Sequence, residues 1–128
     1  MDITDKKIID LLKENSRMTY TDIGNKVNLT SPAVKNRMEI LEDSQIEKYT
    51  IALKDNGSIQ AIVLFKTNNC KKLIDYFSKN SDVKEYFRIS GEYNYFAKVS
   101  CKSTVNLHKI SSDTNDFAFS IPMIKLSN

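Results

Sequence analysis

The run TYTDIGNKVNLTSPAVKNRMEILED, residues 19–43, constrains this chain more than any other stretch. Thr19 suits a helix N-cap, with Asp22 three residues on in a variant of the capping box. Ile23 and Val27 fall at the spacing of a buried helical pair. Gly24 beside them would let another helix cross closely, offsetting its ~1 kcal/mol helix penalty. Asn28 stands where the chain must turn sharply, and Asn tolerates the left-handed conformation. Leu29 then plugs the turn. Thr30 caps a further helix, and Pro32 lies in its first turn, where a missing N–H costs nothing. The pattern predicts two short helices joined by a tight turn.

In the helix opened by Thr30, Val34, Met38 and Leu41 form the inward stripe. At 100° per residue the outward face carries Pro32, Lys35, Asn36 and Glu39. That is the layout of a helix-turn-helix reader, in which the second helix enters the major groove. Lys can contact phosphate or guanine, and Asn can pair with adenine. In the stretch from Ser31 to Ala33, the N–H groups of Ser31 and Ala33 suit a phosphate. From spacing alone, Lys35 and Asn36 fit an ordinary solvated face as well, and Arg37, on the flank of the stripe, fits either a DNA contact or a structural ion pair. Upstream, Thr4 is the expected cap of a first helix reaching about Asn15, with Ile8, Leu11 and Leu12 inward. Asp5 and Lys13 complement its dipole.

Net charge argues little for nucleic acid. The total is +3, but residues 1–49 sum to −1 and residues 50–128 to +4, so DNA affinity must rest on where a few charges sit. Cys70 and Cys101 match no CxxC pattern and read as reduced core thiols. A single histidine, His108, supports neither a metal cluster nor a triad, so no metal, no cofactor and no enzyme activity are expected. No apolar run approaches the ~20 residues of a membrane span, and the acidic N-terminus lacks a signal-peptide core; a cytoplasmic protein is expected.

Residues 46–53 alternate loosely and read as a strand leaving the first unit. Lys54-Asp55-Asn56-Gly57-Ser58 reads as a hinge. The expected division is therefore 1–53, hinge 54–58, and 59–128. Beyond the hinge, a strand over 59–66 has two apolar faces, which implies a sheet covered on both sides. Asn69 caps a helix to about Lys79. Strands follow over 83–89 and 93–100 around the turn Ser90-Gly91-Glu92. Ser103 caps a short helix through Leu107 and Ile110, a polar loop covers 111–116, and a last strand covers 117–126. Pro122 removes a ladder donor, placing that strand at an edge. The order β-α-β-β-α-β predicts a ferredoxin-like sheet in an α+β protein. Two helices cover one face only, so a second copy of the chain is expected on the other.

The first forty-odd residues resemble the N-terminal domain of the Lrp/AsnC transcriptional regulators. Asp2, Asp5, Ile8, Leu12, Asn15, Arg17, Ile23, Val27, Leu29, Thr30, Val34, Arg37, Leu41, Glu42 and Tyr49 match the pattern in register. The resemblance implies a winged helix-turn-helix whose third helix meets double-stranded DNA through Ser31, Pro32, Lys35 and Asn36, with Arg37 behind them and Lys48 on the wing. One departure is the run Leu41-Glu42-Asp43-Ser44-Gln45-Ile46, which lacks the family's glycine and one residue. Residues 82–99 resemble the family's C-terminal RAM domain, a βαββαβ unit that dimerises and binds small effectors, often amino acids. The resemblance implies a homodimer, extending in some members to a tetramer or octamer, and effector contacts at Gly91, Tyr93 and Asn94. Asn94 replaces the usual Asp and so lacks the charge that would pair with an ammonium group.

The expected function is sequence-specific, DNA-binding transcription regulation modulated by a small effector. Two rivals stay open. One is a regulatory binding subunit that has lost DNA binding, suggested by the absent turn glycine and by Glu39, Glu42 and Asp43. The other is a sirohaem-decarboxylase-like enzyme, for which only His108 and Arg88 are candidates.

Overall fold

The computed structural model describes residues 1–54 and 56–127. Its helices are α1 (Ile3–Glu14), α2 (Tyr20–Val27), α3 (Ser31–Ser44), α4 (Cys70–Lys79) and α5 (Thr104–Thr114). Its strands are β1 (Ile59–Thr67), β2 (Val83–Arg88), β3 (Tyr95–Cys101) and β4 (Ala118–Ile124). The chain divides into two compact units, Met1–Leu53 and Lys54–Asn128. The expected hinge at 54–58 includes Asp55, which lies outside the described residues.

The first unit is built on caps. The Thr19 Oγ1 accepts from the Asp22 N–H at 3.1 Å, and Thr30 Oγ1 from the Ala33 N–H at 3.3 Å. Each satisfies one N–H that an α-helix start leaves without an intrahelical partner. For α1 the cap is Asp2, not Thr4: its Oδ1 accepts from the Asp5 N–H at 2.8 Å. An ionised carboxylate at the positive end of a helix outcompetes a hydroxyl two residues further in. Ile8, Ile23, Val34, Met38 and Leu41 close the core of the three helices.

Between α2 and α3, Asn28 is left-handed, with φ 58° and ψ 46°. The Leu29 N–H donates back to the Gly24 carbonyl at 2.9 Å. A Cβ on Gly24 would lie 2.3 Å from the Leu29 carbonyl oxygen. The glycine is thus demanded by the turn's own backbone folding back, not by a crossing helix, since Val34 Cγ2 is at an ordinary 3.5 Å.

After α3 the chain departs from expectation. Residues 46–53 form no strand. A strand needs a partner, and none of the described strands pairs with this segment. Tyr49, Ile51 and Leu53 stay exposed.

The second unit has the expected β-α-β-β-α-β order on an antiparallel sheet, β2-β3-β1-β4. One face, carrying Ala61, Val63, Phe65, Tyr95, Ala97 and Val99, is buried with Leu73 and Phe77 of α4 and Leu107 and Ile110 of α5. Phe65 and Phe77 meet edge to face at 5.2 Å, a favoured aromatic geometry. Pro122 lies in β4, an edge strand, opposite Val63. The residues expected as a polar loop, 111–116, begin as helix instead, because α5 runs to Thr114. Two of its hydroxyls are satisfied along the helix: the buried Thr114 Oγ1 donates to the Ile110 carbonyl at 2.8 Å, and Ser112 Oγ to the His108 carbonyl at 3.2 Å, while Ser111 Oγ accepts from Ser120 Oγ of β4 at 2.9 Å. A polar segment whose side chains bond back onto the preceding turn need not leave the helix.

Gly24→Ala is expected to cost about 1–3 kcal/mol, because the new methyl meets backbone that cannot swing aside. Urea unfolding checks this, and an unchanged midpoint would mean that the turn relaxes freely.

Candidate nucleic-acid interface

Helix α3 carries the candidate residues on its outer side. Pro32, Lys35, Asn36 and Glu39 are exposed, while Val34, Met38 and Leu41 of the same helix are buried. Ser31 is half-buried, and its hydroxyl lies 2.9 Å from the hydroxyl of Thr21 at the start of α2. Thr21 was not among the residues singled out by spacing. The only hint in the sequence is a hydroxyl in the first turn of each helix flanking the turn. The pair ties the N-terminal turns of α2 and α3 together, where backbone N–H groups favour anions.

Arg37 faces another way. Its Nη1 donates to Asp2 Oδ2 at 2.7 Å and to Asp5 Oδ1 at 3.0 Å. The Asp5 N–H, and then the Arg37 guanidinium, hold the Asp2 carboxyl below its ordinary range. Lys48 is exposed and lines an open groove with Lys13 and Arg17, bounded by Ile9, Leu12 and Ile46 and about 810 Å³ in volume. It belongs with the C-terminal end of α1 rather than with the Lys35 and Asn36 face. Tyr49 donates to Glu42 Oε1 at 2.9 Å, and burial together with that carboxylate pushes its hydroxyl up to about 12. That bond ties the segment after α3 back to the helix's last turns.

In the second unit Gly91 has φ +113°, a conformation that favours glycine, in an exposed turn with open space around it. Tyr93 is half-buried and stacks on Phe119 at 6.5 Å. Asn94 is committed to backbone. Its Oδ1 accepts from the Thr67 N–H at 3.0 Å, and its Nδ2 donates to the Thr67 carbonyl at 2.7 Å. Its own N–H donates to the Phe65 carbonyl at 2.8 Å. The carboxamide thus extends the β1–β3 ladder past its last pair, Phe65 with Tyr95. Strand β3 accordingly begins at Tyr95 rather than Tyr93. Among the described residues, no group of three or more His, Cys, Asp or Glu could hold a metal ion. No helix there is long and apolar enough to cross a membrane.

The model of the AsnC-type helix-turn-helix domain matches residues 1–42. An uncharacterised HTH-type transcriptional regulator of Bacillus subtilis, YezC, is 34% identical over 111 residues, spanning 84% of this chain and 80% of that one. The chain belongs to the Lrp/AsnC family of transcriptional regulators. Solved Lrp/AsnC-type structures share its fold along the whole chain. B. subtilis LrpC superposes with a TM-score of 0.90 at 24% identity, covering 100% of this chain and 96% of that one. A Neisseria meningitidis transcriptional regulator solved as an L-Met complex gives 0.86 at 22% identity, covering 100% and 91%. As in that family, a helix-turn-helix precedes an α+β unit, and the regulator class follows from membership.

An Asp at position 94 could accept from the Thr67 N–H but, ionised, could not donate to the Thr67 carbonyl. Its folded pKa would therefore stand above the ordinary ~3.9. Asn94→Asp is expected to lose about 1–3 kcal/mol at pH 7. The deficit should shrink as the pH falls through that raised value, where the protonated acid donates again. Urea unfolding of both proteins at pH 7 and pH 4 measures this; equal deficits would reject the carboxamide's double role.

Proposed function

We propose that this Lrp/AsnC regulator reads double-stranded DNA through the outer face of α3. Ser31 and Pro32 lie at the phosphate end of that face, and Lys35 and Asn36 at the base edges. One observation carries the reading. Lys35 and Asn36 are exposed on the same helix whose opposite side, Val34, Met38 and Leu41, is sealed in the core. A helix fixed from behind and open in front can present side chains at constant depth in a major groove. Lys48, beside Lys13 and Arg17, is proposed as a flanking phosphate contact.

We propose further that the unit Lys54–Asn128 pairs with a second copy of itself through the sheet face that its helices leave open. That face follows from the register: Phe87, Phe96, Leu64 and Ile121 stand side by side across the four strands, with Ile62, Met123 and Phe119 around them. Phe87 and Phe96 stack at 4.6 Å. Ile62, Phe87, Phe119 and Met123 remain more than a third exposed in the single chain. An apolar patch of this kind is what a two-fold interface buries. A dimer would bring two α3 helices to successive half-sites of a pseudopalindrome.

A small effector, an amino acid by analogy with the L-Met-bound neighbour, is proposed at the Gly91 turn and Tyr93. Asn94 shapes that turn, its amide being engaged with Thr67. Calorimetric titration with pooled amino acids tests this part, and absence of heat from any pool removes it. A second reading, a regulatory subunit that does not bind DNA, draws on the exposed Glu39, Glu42 and Asp43 of α3. Retention of no genomic fragment in a pull-down would favour it.

Lys35→Ala and Asn36→Ala should each cost about 1–3 kcal/mol of DNA binding and relax preference at one base position. Selection from random duplexes followed by gel-shift titration measures both, and unchanged affinity with unchanged preference would refute the assignment. Leu64→Glu places a charge between Phe96 and Ile121 in the middle of the open sheet face, whereas Ile62 stands opposite Lys98, which would pair with such a charge. Light scattering after gel filtration should show the mass fall from dimer to monomer, and an unaltered mass moves the interface elsewhere.

A further inference from the structure

The Arg37 cluster is arranged unlike a DNA contact. One nitrogen, Nη1, donates to two carboxylates, Asp2 at 2.7 Å and Asp5 at 3.0 Å, and both bonds are charge-assisted. The three side chains together carry one positive and two negative charges. A phosphate approaching this guanidinium meets a site already more than neutralised, so attraction to the duplex is not what the arrangement provides.

Its mechanical role is better defined. Asp2 and Asp5 belong to the start of α1, and Arg37 follows Asn36 directly on α3. Asp2 uses Oδ1 to cap α1 and Oδ2 to hold Arg37. The Arg37 and Asp5 side chains are only 33% and 18% exposed, so that arm of the cluster is partly withdrawn from solvent and screening. Any roll of α3 about its axis that moved Asn36 would have to stretch both bonds.

We infer that Arg37 is a positioning residue for DNA reading: with Asp2 and Asp5 it sets the roll of α3 against α1, fixing where Lys35 and Asn36 stand, and it does not itself touch DNA. This rests on the reading of α3 as the DNA-reading helix.

The sign of one experiment separates the two roles. Asp2→Asn with Asp5→Asn removes two negative charges while keeping a capable N-cap at position 2. If only the field at the DNA surface mattered, the change would tighten binding. If the clamp sets the helix, binding falls. The probe is a duplex enriched by the wild-type full chain from a random pool, beside a scrambled duplex of equal length, titrated by fluorescence anisotropy over a salt series.

For the double variant and for Arg37→Gln we expect about a tenfold loss on the enriched duplex. Little loss is expected on the scrambled one, and the salt slope should be unaltered. Losing a phosphate contact would instead lower that slope by about 0.9. Arg37→Lys, which keeps a charge between the carboxylates, should recover part of the affinity. Circular dichroism at the assay temperature establishes that each variant is folded, and Asp2→Asn alone serves if the double variant is not.

Tighter or unchanged binding by the folded asparagine variants overturns the inference and leaves the DNA reading intact. A reduced salt slope in Arg37→Gln does the same. A wild-type chain that enriches no duplex overturns both.

Discussion

The first unit depends on a backbone contact rather than on a side chain. The chain leaves α2 through a left-handed Asn28, and Leu29 returns its N–H to the Gly24 carbonyl. The returning Leu29 carbonyl fills the space where any other residue at 24 would carry its Cβ. That contact sets the angle between α2 and α3. With the angle set, Val34, Met38 and Leu41 meet Ile8 and Ile23 in one core. The outward direction of Lys35 and Asn36 is then a consequence of helical geometry.

The second unit solves a different problem. About seventy residues and two helices can seal one side of a four-stranded sheet, and here they do. Strand β1 shows both outcomes in alternate residues: Ala61, Val63 and Phe65 are buried, and Ile62 between them is exposed. The alternation itself is ordinary strand geometry. The unusual element is that two of the outward residues, Ile62 and Leu64, are also apolar, so that face carries an apolar patch flanked by Lys66 and Lys98.

What the sequence made legible was local chemistry. Thr19, Thr30, Asn69 and Ser103 are caps within three residues of the N–H groups they serve, and each cap stands as read. The edge position of β4 could be read from Pro122 alone. What stayed hidden was pairing at a distance. Arg37 finds Asp2 and Asp5 more than thirty residues away, and Asn94 finds Thr67 across twenty-seven. Neither pairing has a periodicity to betray it. The end of α5 is hard to read for the opposite reason: Ser112 and Thr114 look like loop residues until the acceptors of their hydroxyls, the helix's own carbonyls, are in view. For residues 46–53 the alternation was visible, but alternation states what a strand could be, not whether a neighbour is there to pair with it.

The acidic side chains of α3 carry a consequence of their own. Glu39, Glu42 and Asp43 crowd its last turns, where the helix dipole already places negative charge, an arrangement that costs helix stability. The opposite end has the positive end of the dipole, a Thr30 cap on the Ala33 N–H, no carboxylate in its first turn, and Lys35 just beyond. The helix is thus electrically graded along its axis, welcoming a polyanion at the tip and turning it away at the tail. Along that axis the more favourable field for a negative group lies at the Thr30 end, and the less favourable one at the end of Glu42 and Asp43.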